Sequence, residues 1–127
     1  MGVSVADFPN MFVVTGPQAP FANLPTSIQQ NAIWIANCIK KMESEGYDVC
    51  TPRKDAEDEW TAHTAEIHEQ TLMAQGDKVN SWMMGANIAN HNPRVLVYFG
   101  GANVYYDRLD ESASAGFPEL EFSHLTG

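Results

Sequence analysis

Basic residues are scarce in this sequence, 7 Lys and Arg against 16 Asp and Glu, leaving a net charge of −9. Such a chain repels a phosphate backbone instead of neutralising it, which excludes nucleic acid as an expected partner. Anionic membrane surfaces are disfavoured for the same reason. Long apolar runs are missing too: nothing approaches the roughly 20 residues that a spanning helix requires, so no membrane association is expected. Met1-Gly2-Val3-Ser4-Val5-Ala6-Asp7 carries no basic stretch followed by an apolar one and does not read as a secretory signal, which points to a cytoplasmic protein. Cysteine is limited to Cys38 and Cys50; two thiols without metal-ligand spacing read as reduced packing residues. Neither a Gly-x-Ser-x-Gly elbow nor a Gly-x-Gly-x-x-Gly fingerprint occurs, so no nucleophile and no complete dinucleotide-binding domain is visible. No residue receives a catalytic assignment.

What remains is an ordinary globular composition, 44% hydrophobic and 18% charged, in a chain long enough for one core. Asn10-Met11-Phe12-Val13-Val14-Thr15 is a continuous apolar run closed by Gly16-Pro17, the pattern of a strand buried on both faces in a parallel sheet. An uncharged loop with two prolines follows, Gln18 to Pro25. Thr26, with Gln29 three residues on, forms a capping box that starts a helix, and Ile28, Ala32, Ile35, Ile39 and Met42 are expected to face the core before Gly46 ends it. Thr51-Pro52 opens a second helix as N-cap and first helical residue, with Asp55, Glu57, Asp58 and Glu59 at its positive end. Ala56, Trp60, His63 and Ile67 share its inner face, and the pattern runs to about Leu72 and stops near Gly76. From Asp77 to Pro93 periodicity disappears although Trp82, Met83, Met84 and Ile88 are apolar, the mark of a functional loop that docks on something. Val95 to Phe99 reads as a strand turning at Gly100-Gly101. A helix from about Val104 carries Tyr105, Leu109 and Ser112 on one side, with Gly116 at its end, and Leu120 to Phe122 reads as a last strand.

The ligand signal in the residues themselves is a buried strand, Gly16-Pro17, an uncharged loop and a helix start. Ligands of open α/β sheets sit beyond the carboxyl ends of strands, where free backbone N–H groups meet anionic or carbonyl oxygens; the same unit also occurs as plain packing. His63, Glu66 and His68 invite a metal reading, but the histidines are five residues apart and do not share a helical face as four-apart pairs do, so no metal is expected. Trp82 reads either as a buried anchor or as a ring whose indole N–H meets a ligand.

Four blocks in order and in register, Phe8-Pro9-Asn10-Met11-Phe12-Val13-Val14-Thr15-Gly16-Pro17, Asn23-Leu24-Pro25-Thr26-Ser27-Ile28, Ser81-Trp82-Met83-Met84-Gly85-Ala86-Asn87-Ile88 and Tyr98-Phe99-Gly100-Gly101, resemble C-terminal segments of Baeyer–Villiger flavin monooxygenases of the cyclohexanone monooxygenase type. The resemblance runs from Met1 to about Phe122 and implies an α/β fold, the C-terminal fragment of an FAD-binding doubly wound domain with helices and a long mobile loop, Met1 then being a truncation point. On it, 1–50 is a strand, loop and helix against the flavin, 51–76 a helix, 77–93 a mobile loop closing over the cofactor, and 94–122 a strand and helix. It further implies FAD and NADPH as cofactors, and a ketone and O2 as substrates. The missing N-terminal portion of the same enzyme is the implied partner. Carried over by match, Gly16, Pro17, Asn23, Leu24, Ser27 and Trp82 contact the cofactors, and Phe21, Ala22, Leu24 and Val97 line the ketone pocket. Ala22 is smaller than some counterparts, and Ala89-Asn90-His91-Asn92 replaces a Pro-Gly-Lys-like stretch. Two alternatives stand beside this: a free-standing acidic α/β module that binds a protein through Trp82, Met83 and Met84, and a fragment of a related flavin-dependent N-hydroxylase or flavin-containing monooxygenase.

Overall fold

A computed structural model of the chain describes residues 1–71, 74, 82–85, 88–90 and 94–125. Strand β1 (Ala19–Pro20) leads through a short connection into helix α1 (Leu24–Glu45). Strand β2 (Val49–Pro52), helix α2 (Lys54–Glu69), a 3-10 turn at Trp82–Met84 and strand β3 (Val97–Tyr98) follow, and helix α3 (Ala102–Ser114) and strand β4 (Leu120–Ser123) close the order. β1 pairs with β3 in parallel, Ala19 beside Val97, and β2 pairs with β4 antiparallel, Cys50 beside Phe122. The class is mixed α/β, as expected.

The buried strand expected over 10–17 is not formed. Phe12 makes one isolated bridge to Ser4, and Met11 and Val14 are exposed. Left-handed backbone at Asn10 and Thr15 cuts the run to a few residues, and its hydrogen bonds go to Val3 and Cys50, which give no ladder. The parallel strand lies instead in the uncharged loop, where Pro20, lacking an N–H, confines it to two residues.

Helix α1 begins earlier than expected. Asn23, not Thr26, is the N-cap: its side-chain oxygen accepts from the Thr26 N–H at 3.3 Å, and Pro25 sits inside the first turn, where a missing N–H costs nothing. Gly46 ends the helix in the left-handed conformation at φ 74°, as expected. The buried face is a larger correction. Ser27, Asn31, Trp34 and Cys38 are buried, whereas Ile28 and Ile39 are exposed, as is Ala32; at 100° per residue the inner stripe is turned by about 90° from the expected one. Hydrogen bonding decides this. Ser27 Oγ lies 2.8 Å from the Tyr106 hydroxyl, Asn31 Nδ2 donates to Tyr105 at 3.2 Å and Trp34 Nε1 donates to Ser112 at 3.0 Å, so the polar stripe docks on α3 with its groups satisfied.

Thr51 and Pro52 do not open α2. They belong to β2, opposite Glu121 and Leu120, because β-branched Thr51 and the edge position of Pro52 suit a ladder; Arg53 is the N-cap, without a side-chain bond. Asp55 and Glu57 do occupy the first turn. Trp60 is buried on the inner face, which extends to Thr64 and His68; Thr64 is tolerated there because its hydroxyl donates to the Trp60 carbonyl at 2.9 Å. The expected end at Leu72 to Gly76 falls almost wholly outside the described residues. α3 buries Tyr105, Leu109 and Ser112, the face read from the sequence. One core joins these elements, with Trp34 edge-on to Phe117 at 5.2 Å and Trp60 against Tyr98 at 4.9 Å.

Candidate functional site

The expected site residues gather around the end of β1. Pro17 and Gln18 form a turn, closed by the Ala19 N–H on the Gly16 carbonyl at 3.1 Å, and a Cβ at Gly16 would run into the Val13 side chain. An alanine there would require the Val13 side chain to shift. β1 then delivers Phe21, Ala22 and Asn23 to the start of α1, and β3 places Val97 beside Ala19.

A backbone relay ties in the more distant segment. Met83 C=O accepts from Leu96 N–H at 3.0 Å, Leu96 C=O accepts from Gln18 N–H at 2.7 Å, and Tyr98 C=O accepts from Phe21 N–H at 3.3 Å. Trp82 is therefore docked, through its own turn and the entry to β3, onto the residues that flank β1. Within 77–93, residues 77–81, 86–87 and 91–93, with Ser81, Ala86, Asn87 and His91 to Pro93, lie outside the described residues.

Exposure divides the set. Phe21 is 68% exposed, Leu24 59% and Trp82 61%, with Pro17 and Asn23 also exposed. Gly16 and Ala22 are half-buried. Val97 and Ser27 are buried inside the chain, Ser27 with its hydroxyl engaged by Tyr106. The helix start is not a bare anion cradle: Pro25 has no N–H, Asn23 caps Thr26, and Ser27 N–H bonds the Asn23 carbonyl at 3.1 Å. What this end of the fold offers is an exposed apolar rim, Phe21, Leu24 and Ile28, which suits a flat, largely uncharged ring better than a phosphate.

Sequence reasoning missed the residues that hold the rim in place. Thr15 is β-branched yet left-handed at φ 49°, a conformation that costs about 1–3 kcal/mol unless its surroundings fix it. Asn31 does so, its Oδ1 accepting from Thr15 N–H at 3.0 Å while Nδ2 reaches Tyr105, whose hydroxyl donates to the Met1 carbonyl at 2.6 Å. Burial raises the Tyr105 phenol to about 12, so it stays a donor at neutral pH. The signal was available: Ser27 and Asn31 are polar one turn apart, in line with Trp34.

A separate cavity of about 560 Å³ lies between Trp34, Trp60, Glu57, Arg108 and Glu119; Pro17 lines it, but Phe21, Ala22, Leu24, Trp82 and Val97 do not. It is not the expected ketone pocket. His63 stands 3.3 Å from the Tyr98 hydroxyl, and His68 packs against Phe99 at 5.7 Å between ring centres. Among the described residues no three His, Cys, Asp or Glu side chains are arranged to hold a metal, and no helix is long and apolar enough to cross a membrane.

No family model matches the chain. Individual proteins do. A Baeyer–Villiger monooxygenase of Pseudooceanicola batsensis is 37% identical over 120 residues, 94% of this chain and 22% of that protein. The solved cyclohexanone monooxygenase of Rhodococcus sp. Phi1, bound to NADP+, superposes with a TM-score of 0.89 at 36% identity over 97% of this chain and 23% of that one. By sequence and by fold this chain belongs with the Baeyer–Villiger flavin monooxygenases. A phenazine N-monooxygenase of Lysobacter antibioticus is 44% identical over 117 residues, 92% of this chain and 21% of that protein, and further matched proteins are named FAD-binding monooxygenases. The chain spans about a fifth of the length of the relatives it matches.

Proposed function

We propose that this chain forms the C-terminal part of a cytoplasmic, FAD- and NADPH-dependent monooxygenase that uses O2 to convert ketones to esters or lactones, the rest of the enzyme supplying the dinucleotide-binding domains. The observation that carries the reading is the β1 end. An exposed apolar rim, a turn in which Gly16 lies close against Val13 and a tryptophan turn are joined to two paired strands by consecutive backbone hydrogen bonds. Relatives named as Baeyer–Villiger and FAD-binding monooxygenases, and a related structure holding NADP+, support the choice of cofactors.

In this reading residues 1–50 lie against the flavin, α2 (Lys54–Glu69) is a supporting helix, 77–93 close over the cofactors, and 94–122 add a strand and helix behind the site. Bound flavin supplies the oxygen-activating redox chemistry, and NADPH the electrons. The chain's own residues do simpler work. Gly16 and Pro17 let the backbone approach the ring closely, and Asn31 keeps their turn in its left-handed start. Asn23 caps α1, and Ser27 locks it to α3. Phe21, Ala22, Leu24 and Val97 shape an apolar wall for the substrate. Trp82 presents its indole N–H from a turn anchored to β3, where closing over the site would exclude water.

The test is reconstitution. The purified chain mixed with FAD is expected to emerge colourless from gel filtration, because it holds one rim of the pocket. Co-expressed with the polypeptide encoded immediately upstream, it is expected to yield a yellow complex that consumes NADPH when a ketone is added. A chain that binds FAD and oxidises ketones unaided would overturn the division of labour. Running the complex with phenazine beside cyclohexanone decides between nitrogen and ketone oxidation.

A further inference from the structure

We propose that Trp60, Tyr98 and His63 form a proton-coupled redox relay, in which an electron hole arriving on the Trp60 indole passes to Tyr98 as the Tyr98 phenol proton passes to His63. The three rings meet between α2 and β3. Ring centres lie 4.9 Å apart for Trp60 and Tyr98, 5.5 Å for Trp60 and His63, and 5.8 Å for His63 and Tyr98. The Tyr98 hydroxyl is 3.3 Å from His63 Nε2, and Trp60 and Tyr98 are buried. The relay uses this chain's own residues and does not rest on the flavin reading.

The surroundings of each ring set the direction. Trp60 Nε1 is buried without a hydrogen-bond partner among the described residues, so an indole that loses an electron has no group to take its proton and stays a radical cation. The Arg108 guanidinium lies over the same ring, 5.5 Å from its centre, and its positive charge raises the energy of that cation. Tyr98 has the acceptor that Trp60 lacks. In the His63 tautomer protonated on Nδ1, Nε2 accepts from the phenol, and burial with Arg108 nearby keeps the imidazole neutral and able to take the proton. Tyr105 is nearly as close, 6.0 Å from Trp60 and 5.9 Å from Tyr98, but its hydroxyl donates to the Met1 carbonyl at 2.6 Å, which is no base. The hole therefore settles on Tyr98.

One electron and one proton move. A small inorganic radical of the azide class takes an electron from Trp60 and becomes an anion. An electron then passes from Tyr98 to Trp60, the phenolic O–H bond breaks and its proton bonds to His63 Nε2, leaving a neutral phenoxyl radical beside an imidazolium. An outside thiolate returns the electron and becomes a thiyl radical, while His63 returns the proton. Trp60 and His63 line the cavity described above, whose lining also includes the exposed residues Glu59 and Thr61, so a small oxidant reaches the pair from solvent. The relay moves an oxidising equivalent off tryptophan and holds it as a reducible phenoxyl.

The test is pulse radiolysis of the 127-residue chain with azide radical as the oxidant, in a Trp82→Phe background that removes an indole 61% exposed. Decay of the indole radical absorption is expected to match growth of the phenoxyl absorption, at a rate independent of protein concentration. Tyr98→Phe, which keeps the ring and removes a hydroxyl, should abolish that growth, and Trp60→Phe should remove its fast phase. Tyr105→Phe should retain it. His63→Phe should slow it about 100-fold, the scale of a positioned proton acceptor. Heavy water should slow the growth in the Trp82→Phe background and leave His63→Phe unaffected, a readout that a packing role for His63 would not move. Phenoxyl growth that survives Tyr98→Phe, an unchanged rate in His63→Phe, or an indole radical that decays without phenoxyl would each overturn the relay.

Discussion

Two sides of helix α1 obey opposite rules. The side turned to α3 buries Ser27, Asn31, Trp34 and Cys38, two of them polar. A quarter turn away Leu24, Ile28 and Ile39 stand 59%, 45% and 43% exposed. Apolar residues usually go inside because each buried methylene gains about 0.8 kcal/mol, so the inversion needs a reason. On the inner side every polar group has a partner on α3 or the 1–18 segment, and burying them costs little. On the outer side the described residues offer nothing to cover the leucine and isoleucines. The contrast teaches that this chain packs by hydrogen-bond matching on the inner side of α1 and leaves its most apolar helical stripe exposed.

Trp34→Ala is the harshest test of the inner side. Removing a ring that is 2% exposed and edge-on to Phe12 and Phe117 should cost about 3–5 kcal/mol, read by urea unfolding with fluorescence from the remaining tryptophans. Asn31→Leu keeps the volume but strands the Thr15 N–H and loosens Tyr105; the expected loss is about 1–3 kcal/mol, with faster hydrogen exchange at the Thr15 amide as its specific mark. The outer side should behave differently. Ile28→Glu with Ile39→Glu should change the stability of this chain by no more than about 0.5 kcal/mol, yet abolish association with the upstream polypeptide. A loss above about 2 kcal/mol would mean the stripe is packed after all.

Acidification is the mildest lever, and it acts through α2. Burial, with Arg108 nearby, depresses the His63 pKa, so the folded state binds this proton less readily than the unfolded chain. Its contribution is present above the unfolded value of about 6.5 and is lost as pH falls below it. The Glu57 carboxylate, held down by the Ala6 N–H at 2.6 Å and by Lys54, contributes above its unfolded pKa and loses that contribution at lower pH still. Thermal denaturation across pH 3 to 8 should show both limbs, with His63→Gln flattening the upper and Glu57→Gln the lower.

Helix α3 was legible because its apolar residues and its buried face coincide. α1 was misread over its inner face because apolar spacing is the signal a sequence displays, and a satisfied polar stripe hides from it. The strand expected at 10–17 failed for a different reason: hydrophobicity does not reveal the left-handed turns at Asn10 and Thr15, whereas the strand that formed, Ala19–Pro20, is two residues long and carries no pattern. Thr51-Pro52 fits a helix start and an edge strand equally well, and pairing with the distant Leu120–Ser123 segment decided it. For the candidate site, the resemblance pointed to Phe21, Leu24 and Trp82, while the hydrogen bonds that join Thr15, Asn31 and Tyr105 emerge from three-dimensional contacts.

The parallel pairing of Ala19 with Val97 has a kinetic consequence. Its two short strands join opposite ends of the polypeptide, so the entropy of closing that long loop must be overcome for very few bonds. Docking of the helices should come early in folding and the strand junction last. A mutation at the junction would then chiefly speed unfolding and leave the refolding rate almost untouched.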